Sequence, residues 1–388
     1  MICRSNVSFW QLGFRPFFLL GSLFGMAAIF IWLLIWFGTL APRGHLDPII
    51  WHSHEMIYGF TTAVIAGFAL TASQNWTGKR GVHGLKLKIA LSVWALGRVL
   101  LMTLSHPNLI SALMDLGFYP LLGCYMFPYL QDQEMKTERV FFLYFVLFFT
   151  GNLLVHLESF GLIHGFAYRG IIFGLNTIIL MIIFMGGRVI PFFTESSLAR
   201  RQPRTFKSVE YLSHITAWAF LISSFFIRES VLCAIIAFSA ACVHLIRLWG
   251  WQVPRIRRVP LIWILHIAYL WITFGFFLSG LVSLGIVPSG SAVHAFAIGG
   301  IGVMTYGMMT RVSLGHTGRT LRPHVGIVIG YYLLNVSALI RVLGPLIYAA
   351  GYSYSILVSG SLWLVAFILF VIIYLPILIA PRIDGKPG

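Results

Sequence analysis

The sequence predicts an all-α, polytopic membrane protein of about twelve transmembrane helices, and three observations carry that prediction. Hydrophobic residues make up 59% of the 388 and charged residues only 10%, too little charged surface to keep a soluble domain of this length dispersed. The apolar residues fall in runs of roughly twenty, the length that crosses a bilayer as a helix. Within each run they are continuous rather than alternating, which argues against a β-barrel; backbone groups in lipid must then be satisfied within the segment itself, as a helix does.

Charged or Pro/Gly-rich breaks separate the runs into expected spans at 17–38, 54–74, 87–104, 111–130, 140–160, 167–188, 209–227, 230–248, 261–285, 292–311, 325–349 and 354–380. The first is long and lacks a small-residue cleavage site, so it is expected to be a helix and not a cleaved signal peptide. The second closes before Gly78-Lys79-Arg80, and the third opens after Lys86 and closes at Ser105-His106-Pro107. Arg139 precedes the fifth span and Gly161 follows it, while Arg228-Glu229 and Arg257-Arg258 bound the eighth and ninth. Pro323 and Pro381 punctuate the last two. The longest connection, roughly 189–208, reads as a basic loop. No soluble domain fits between spans, so residues 1–388 are expected to form one integral membrane domain.

Lysine and arginine set the orientation, because cytoplasmic loops accumulate them. With both termini cytoplasmic, the outer segments hold only Arg43, Arg169 and Arg228. Arg98 and Arg341 lie within spans, and the rest of the 27 basic residues, from Arg4 through Arg200, Arg201 and Arg255 to Lys386, fall on inner segments. A missed or extra helix would scramble this split. The net charge of +16 is therefore topological, and nucleic acid is not an expected partner, since a basic patch for RNA or DNA would not be dealt out to alternate loops. The lipid bilayer is. Cys3, Cys124, Cys233 and Cys242 form no metal or redox pair, and no C-x-x-C-H string exists for covalent haem.

The chain repeats itself. His54, Gly59, Gly67, Thr77 and Gly78 recur at one constant offset as His294, Gly299, Gly307, Thr317 and Gly318, with Lys79 matched by Arg319. The third and eleventh spans then carry one arginine each, Arg98 and Arg341. A fainter third copy lies in the sixth span around Met185–Thr194. With that third copy the repeat would be four helices long and parallel, an internal symmetry common in membrane proteins and familiar from transporters.

The 13 histidines sort by depth. His52, His54, His156, His164 and His294 fall at outer helix ends; His83, His214, His244, His266, His316 and His324 lie on the inner side; His45 and His106 are in outer loops. A lone interfacial histidine is usually just a satisfied polar residue. The outer group is different, because His52 and His54 bracket one serine, Glu55 can orient an imidazole, and His294 repeats His54 at the same depth. Two imidazoles from facing helices can ligate a haem iron, and further histidines suit copper or zinc. Arg98 and Arg341 are costly inside a bilayer and need an anion. Haem propionates would serve; so would Asp115, Glu158 or helix carbonyls. Glu55, Asp115 and Glu158 lie towards the outside, and the inner halves of the spans are expected to hold no carboxylate. A proton consumed at the outer site would then come from outside. Gly299-Gly300-Ile301-Gly302 lies inside a span and reads as helix packing, not a nucleotide loop.

The strings Gly13-Phe14-Arg15-Pro16-Phe17-Phe18, Trp51-His52-Ser53-His54-Glu55-Met56, Asn75-Trp76-Thr77-Gly78, Gly187-Arg188-Val189-Ile190-Pro191-Phe192-Phe193-Thr194 and Arg311-Val312-Ser313-Leu314-Gly315-His316-Thr317-Gly318-Arg319 resemble the NnrS family across nearly the whole chain. The resemblance implies a bacterial inner-membrane protein containing non-covalent haem b and copper, acting in the nitric oxide response and often associated with denitrification. Nitric oxide is then the expected small-molecule ligand, with quinol or another electron donor if the protein reduces it. Twelve helices with histidines on the second and tenth also resemble the catalytic subunit of haem–copper oxidases. That subunit's adjacent histidine pair on helix seven and its His-x-His on helix ten are absent here.

Depth and repeat, not transfer from the family, assign the residues. His54 and His294 are expected to ligate haem, Arg98 and Arg341 to hold its propionates, and His52 with His156 or His164 to ligate a second metal. Two other functions use the same residues. A transporter would employ the outer histidines as a substrate site, and a quinol-dependent nitric oxide reductase would turn over at them.

Overall fold

The computed structural model describes residues 8–42, 44–131, 135–197, 203–252 and 256–386. Cys3, Arg4, Arg43, Arg200, Arg201 and Arg255 lie outside them. Among the described residues there are twelve long helices and no strand: α1 Phe14–Trp36, α2 Pro48–Thr77, α3 Leu85–Thr103, α4 Leu109–Leu130, α5 Val140–Ser159, α6 Ala167–Ser197, α7 Lys207–Phe226, α8 Val231–Trp251, α9 Pro260–Ser283, α10 Ser289–His316, α11 Val325–Ile347 and α12 Tyr352–Ile379. Ten are long and apolar enough to cross a membrane. The other two, α3 and α7, are more polar, the former carrying Lys86, Lys88 and Arg98 and the latter Lys207 and Glu210.

Each expected span has its helix, but several run further than apolar runs alone predict. α2 opens at Pro48 because the Asp47 carboxylate accepts the Ile49 and Ile50 amides at 2.9 and 3.4 Å and proline suits a first helical position. α6 continues to Ser197 through Pro191, so Arg188 and much of the expected basic loop are helical. Proline costs less in such a helix, where neighbours re-satisfy the freed carbonyl.

The repeat extends to the backbone. α2 is α-helical over Pro48–His54, π-helical over Glu55–Thr61 and α-helical again over Thr62–Thr77. α10 does the same, with Ser289–His294, a π segment Ala295–Gly302 and Val303–His316. Each π segment begins at the residue after the repeated histidine. π turns are rare and concentrate at functional sites, so two of them at matching positions are strong support for the duplication. The faint third copy in α6 has none: Ala167–Ser197 is unbroken α-helix.

The chain divides into two compact units, Met1–Gly174 with Arg311–Leu321 and Phe367–Gly388, and Leu175–Thr310 with Arg322–Ala366. In the first, α1 packs on α2, and α4 is flanked by α3 and α5. Buried Arg15 donates to the Leu378 and Ala380 carbonyls at 2.8 and 2.7 Å, satisfying the orphan carbonyls at the end of α12.

In the second unit α8 packs between α7 and α9, and the π segment of α10 lies against α9 and α11. Here one expectation is corrected. Glu210, in the first turn of α7 and within the expected span 209–227, is an inner-half carboxylate. It pairs with Arg247 of α8, whose Nε donates to Oε1 at 3.0 Å and Nη2 to Oε2. Arg247 Nη1 also donates to the Ile183 carbonyl at 3.0 Å and the Tyr269 hydroxyl at 2.8 Å. A guanidinium this deep is tolerable only when so satisfied. Gly187 makes the room, since a Cβ there would fall on Arg247 Nη2. Gly187→Ala is therefore expected to destabilise the protein by about 1–3 kcal/mol through overpacking. Gly186→Ala, whose new Cβ would sit 3.5 Å from Ile190 Cδ1, should be neutral or stabilising; thermal unfolding in detergent compares the two.

Candidate metal centre

Four helices of the first unit bring His54, Glu55, Arg98, Asp115, Asn152 and His156 into one cluster, each no more than 4% exposed. α2 supplies His54 and Glu55 at the junction between its α and π segments. α3 supplies Arg98. α4, started by Asn108, which accepts the Ile110 amide at 2.9 Å, supplies Asp115 two turns into the helix. α5 supplies Asn152 and His156, spaced i and i+4 and so on one face.

Glycine makes the cluster possible. At Gly59, within the π segment, a Cβ would meet Glu55 Oε2 at 3.1 Å and Arg98 Cδ at 3.2 Å, so the arginine stem passes through the space the missing side chain leaves. The Gly59 carbonyl accepts from Trp94 Nε1 at 3.0 Å, which ties α3 to α2 one turn before Arg98.

The hydrogen bonds run in a defined order. His54 Nδ1 lies 3.0 Å from Glu55 Oε1, and Arg98 Nη1 donates to Glu55 Oε1 and Oε2 at 3.1 and 3.2 Å. Arg98 Nη2 pairs with Asp115 Oδ1. The Asn152 amide donates to Asp115 Oδ2 at 2.8 Å, which turns its carbonyl oxygen towards His54 Nε2 at 2.7 Å. His156 Nε2 stands 2.8 Å and His54 Nε2 3.2 Å from the same Asp115 Oδ2.

Two carboxylates against one guanidinium leave one negative charge in excess when both imidazoles are neutral. A buried excess charge is expensive. Both ring nitrogens of His54 face oxygen acceptors, so the cluster is arranged for one added positive charge, either a proton on His54 or a cation. The atoms suit a cation: one ligand atom each from His54, Asp115 and His156 lie within 4.8 Å of one another. Two imidazoles and a carboxylate, without thiolate, match the preferences of divalent copper, iron or zinc. Glu55 on His54 Nδ1 is the outer partner that fixes the ring of a ligating histidine.

The other expected site residues are placed differently. His52 is half-buried and stacks on Trp32 with ring centroids 4.5 Å apart; two residues before His54 on a helix, it faces another direction. His164 is exposed in the connection from α5 to α6, where Glu158 Oε2 accepts the Phe166 and Ala167 amides. His294 and Arg341 belong to the second unit. His294 Nδ1 lies 2.7 Å from the Gly290 carbonyl, so Nδ1 carries a proton. Arg341 Nη2 donates to the Tyr352 hydroxyl at 2.8 Å. Arg98 takes the carboxylate pairing that was open to it.

In the sequence Asn152 carries no expectation and Asp115 stands only as a candidate counter-ion. The available signal was a polar i, i+4 pair, Asn152 and His156, in an otherwise apolar helix, at the depth of the lone carboxylate of α4.

The family model described as NnrS protein matches residues 8–382. No curated protein matches the chain.

Proposed function

The chain belongs to the NnrS family, the nitric oxide response family, and from that premise we propose that it is a bacterial inner-membrane protein that binds haem b and copper and handles nitric oxide at its outer side. The observation that carries the proposal is the convergence of His54, Asp115 and His156 on one buried point with one negative charge to neutralise. These three would hold the copper ion, with Glu55 fixing the ring of His54 and with Arg98 and the Asn152 amide fixing Asp115. His294, which repeats His54 and whose ring is held at Nδ1 by the Gly290 carbonyl, would be a haem ligand. A bound metal would supply an open coordination position for a diatomic ligand.

Burial fits that ligand. Nitric oxide is small, uncharged and soluble in lipid, so it reaches a centre that is closed to ions and polar substrates. The test is optical and paramagnetic spectroscopy of the detergent-purified protein, before and after dithionite and nitric oxide. Bands that shift on both additions are expected, and nitric oxide consumption with a reduced quinol would add turnover to binding. A folded, colourless protein with no response to nitric oxide overturns the reading. Asn152→Ala, which removes the amide that donates to Asp115 Oδ2 without removing a ligand, is expected to weaken copper binding about 10–100-fold, as read by competition with a chelator.

A further inference from the structure

The two copies of the repeat have kept the same histidine and arginine but opposite charge balances. At the position of Glu55 in the first copy, the second carries Ala295. Arg341 is 8% exposed and lies in the outer third of α11. Its guanidinium stands over the Tyr352 ring at 4.8 Å and makes the one hydrogen bond to that hydroxyl. Among the described residues no carboxylate pairs with it. An intramembrane guanidinium with a phenol as its partner has most of its donors and all of its charge uncompensated.

We infer that the second copy is an anion subsite in which Arg341 receives a carboxylate or a small oxyanion at the outer end of α10 and α11. The first copy, short of positive charge, takes a cation; the second, short of negative charge, takes the anion. The surroundings are built for it. Ser291, one turn before His294, donates to the carbonyl of Val342 at 3.2 Å, which sets the turn bearing His294 beside the turn bearing Arg341. Ser355 is 7% exposed, one turn beyond Tyr352, and approaches α11 where a Cβ on Gly344 would meet its own Cβ at 3.3 Å. An anion there would sit beside a planar cation and the Tyr352 hydroxyl, with Ser355 Oγ donating to the Tyr352 carbonyl at 2.6 Å and so holding that turn.

Two sources share this chemistry: a free monoanion such as nitrite or formate, and the propionate of a haem. The second source rests on the haem reading above; the first does not. The experiment titrates the purified full chain with sodium formate and sodium nitrite by calorimetry, and separately with protohaem and its dimethyl ester, which has no ionisable propionate. Arg341→Gln removes the charge. Ser355→Asp keeps the arginine and supplies the missing carboxylate from within, so it should compete with any occupant.

Saturable formate or nitrite binding, weakened about tenfold or more by both variants, supports the subsite with a free anion as occupant. Failure of both small anions, with protohaem binding at least about tenfold tighter than its ester and the difference vanishing in both variants, supports it with a propionate as occupant. If neither anions nor the propionates make a difference, the subsite is overturned, and Arg341 is held by Tyr352 alone. Copper content, measured on the same samples, reports on His54, Asp115 and His156 independently.

Discussion

Arg98→Met will destabilise the protein by about 3–5 kcal/mol, because it leaves the Glu55 and Asp115 carboxylates buried without their cation. The residue bridges both acids, through Nη1 to Glu55 and Nη2 to Asp115, so no neighbour can take over. Neutralising the acids as well, with Glu55→Gln and Asp115→Asn on top of Arg98→Met, should recover most of the loss, since a buried network replaced as a whole costs far less than one broken in half. Thermal unfolding followed by tryptophan fluorescence in detergent reads both. An Arg98→Met protein as stable as the parent would mean that these ion pairs do not form.

The second large effect concerns the metal. His156→Ala is expected to lower copper affinity by more than the about 10–100-fold that loss of a supporting partner costs, because a ligand itself is lost. His52→Ala, altering the ring that stacks on Trp32, should leave affinity unchanged. The contrast separates a site at His54, Asp115 and His156 from one built on the two histidines that bracket Ser53. Equal losses in the two variants would favour the bracketing pair.

Much of the architecture was legible because it rests on length and composition. The twelve apolar runs are twelve helices among the described residues, and the repeat drawn from His54 and His294 reappears as two π segments at matching positions. The helix ends were less legible. Asp47 caps α2 well before its apolar run, and Pro191 does not stop α6. Apolar content does not register a cap, and a proline is tolerated within a membrane helix where neighbours re-satisfy the carbonyl it frees. The site was legible by depth but not by partner. His54, His156 and Arg98 were singled out, and the structure gathers them. Glu55 orients His54 as its adjacency allowed. His52 stands apart because its two-residue spacing, which suits one strand face, turns it away on a helix. Asp115 and Asn152 come from other helices, and nothing in a sequence pairs α4 with α5 at that register. Glu210 shows the converse error: it lies at one end of the expected span 209–227, where no carboxylate is expected, and the buried Arg247 opposite it is what makes it tolerable there.

The most direct test of the central claim is metal analysis of the purified protein combined with X-ray absorption at the copper edge. One copper per chain, in a shell of nitrogen and oxygen with imidazole scattering and no sulfur, is the predicted result, falling away in His156→Ala and Asp115→Asn. A sulfur shell, or a folded protein with no copper after reconstitution, would contradict the assignment and leave the excess charge of the cluster to be balanced by a proton on His54.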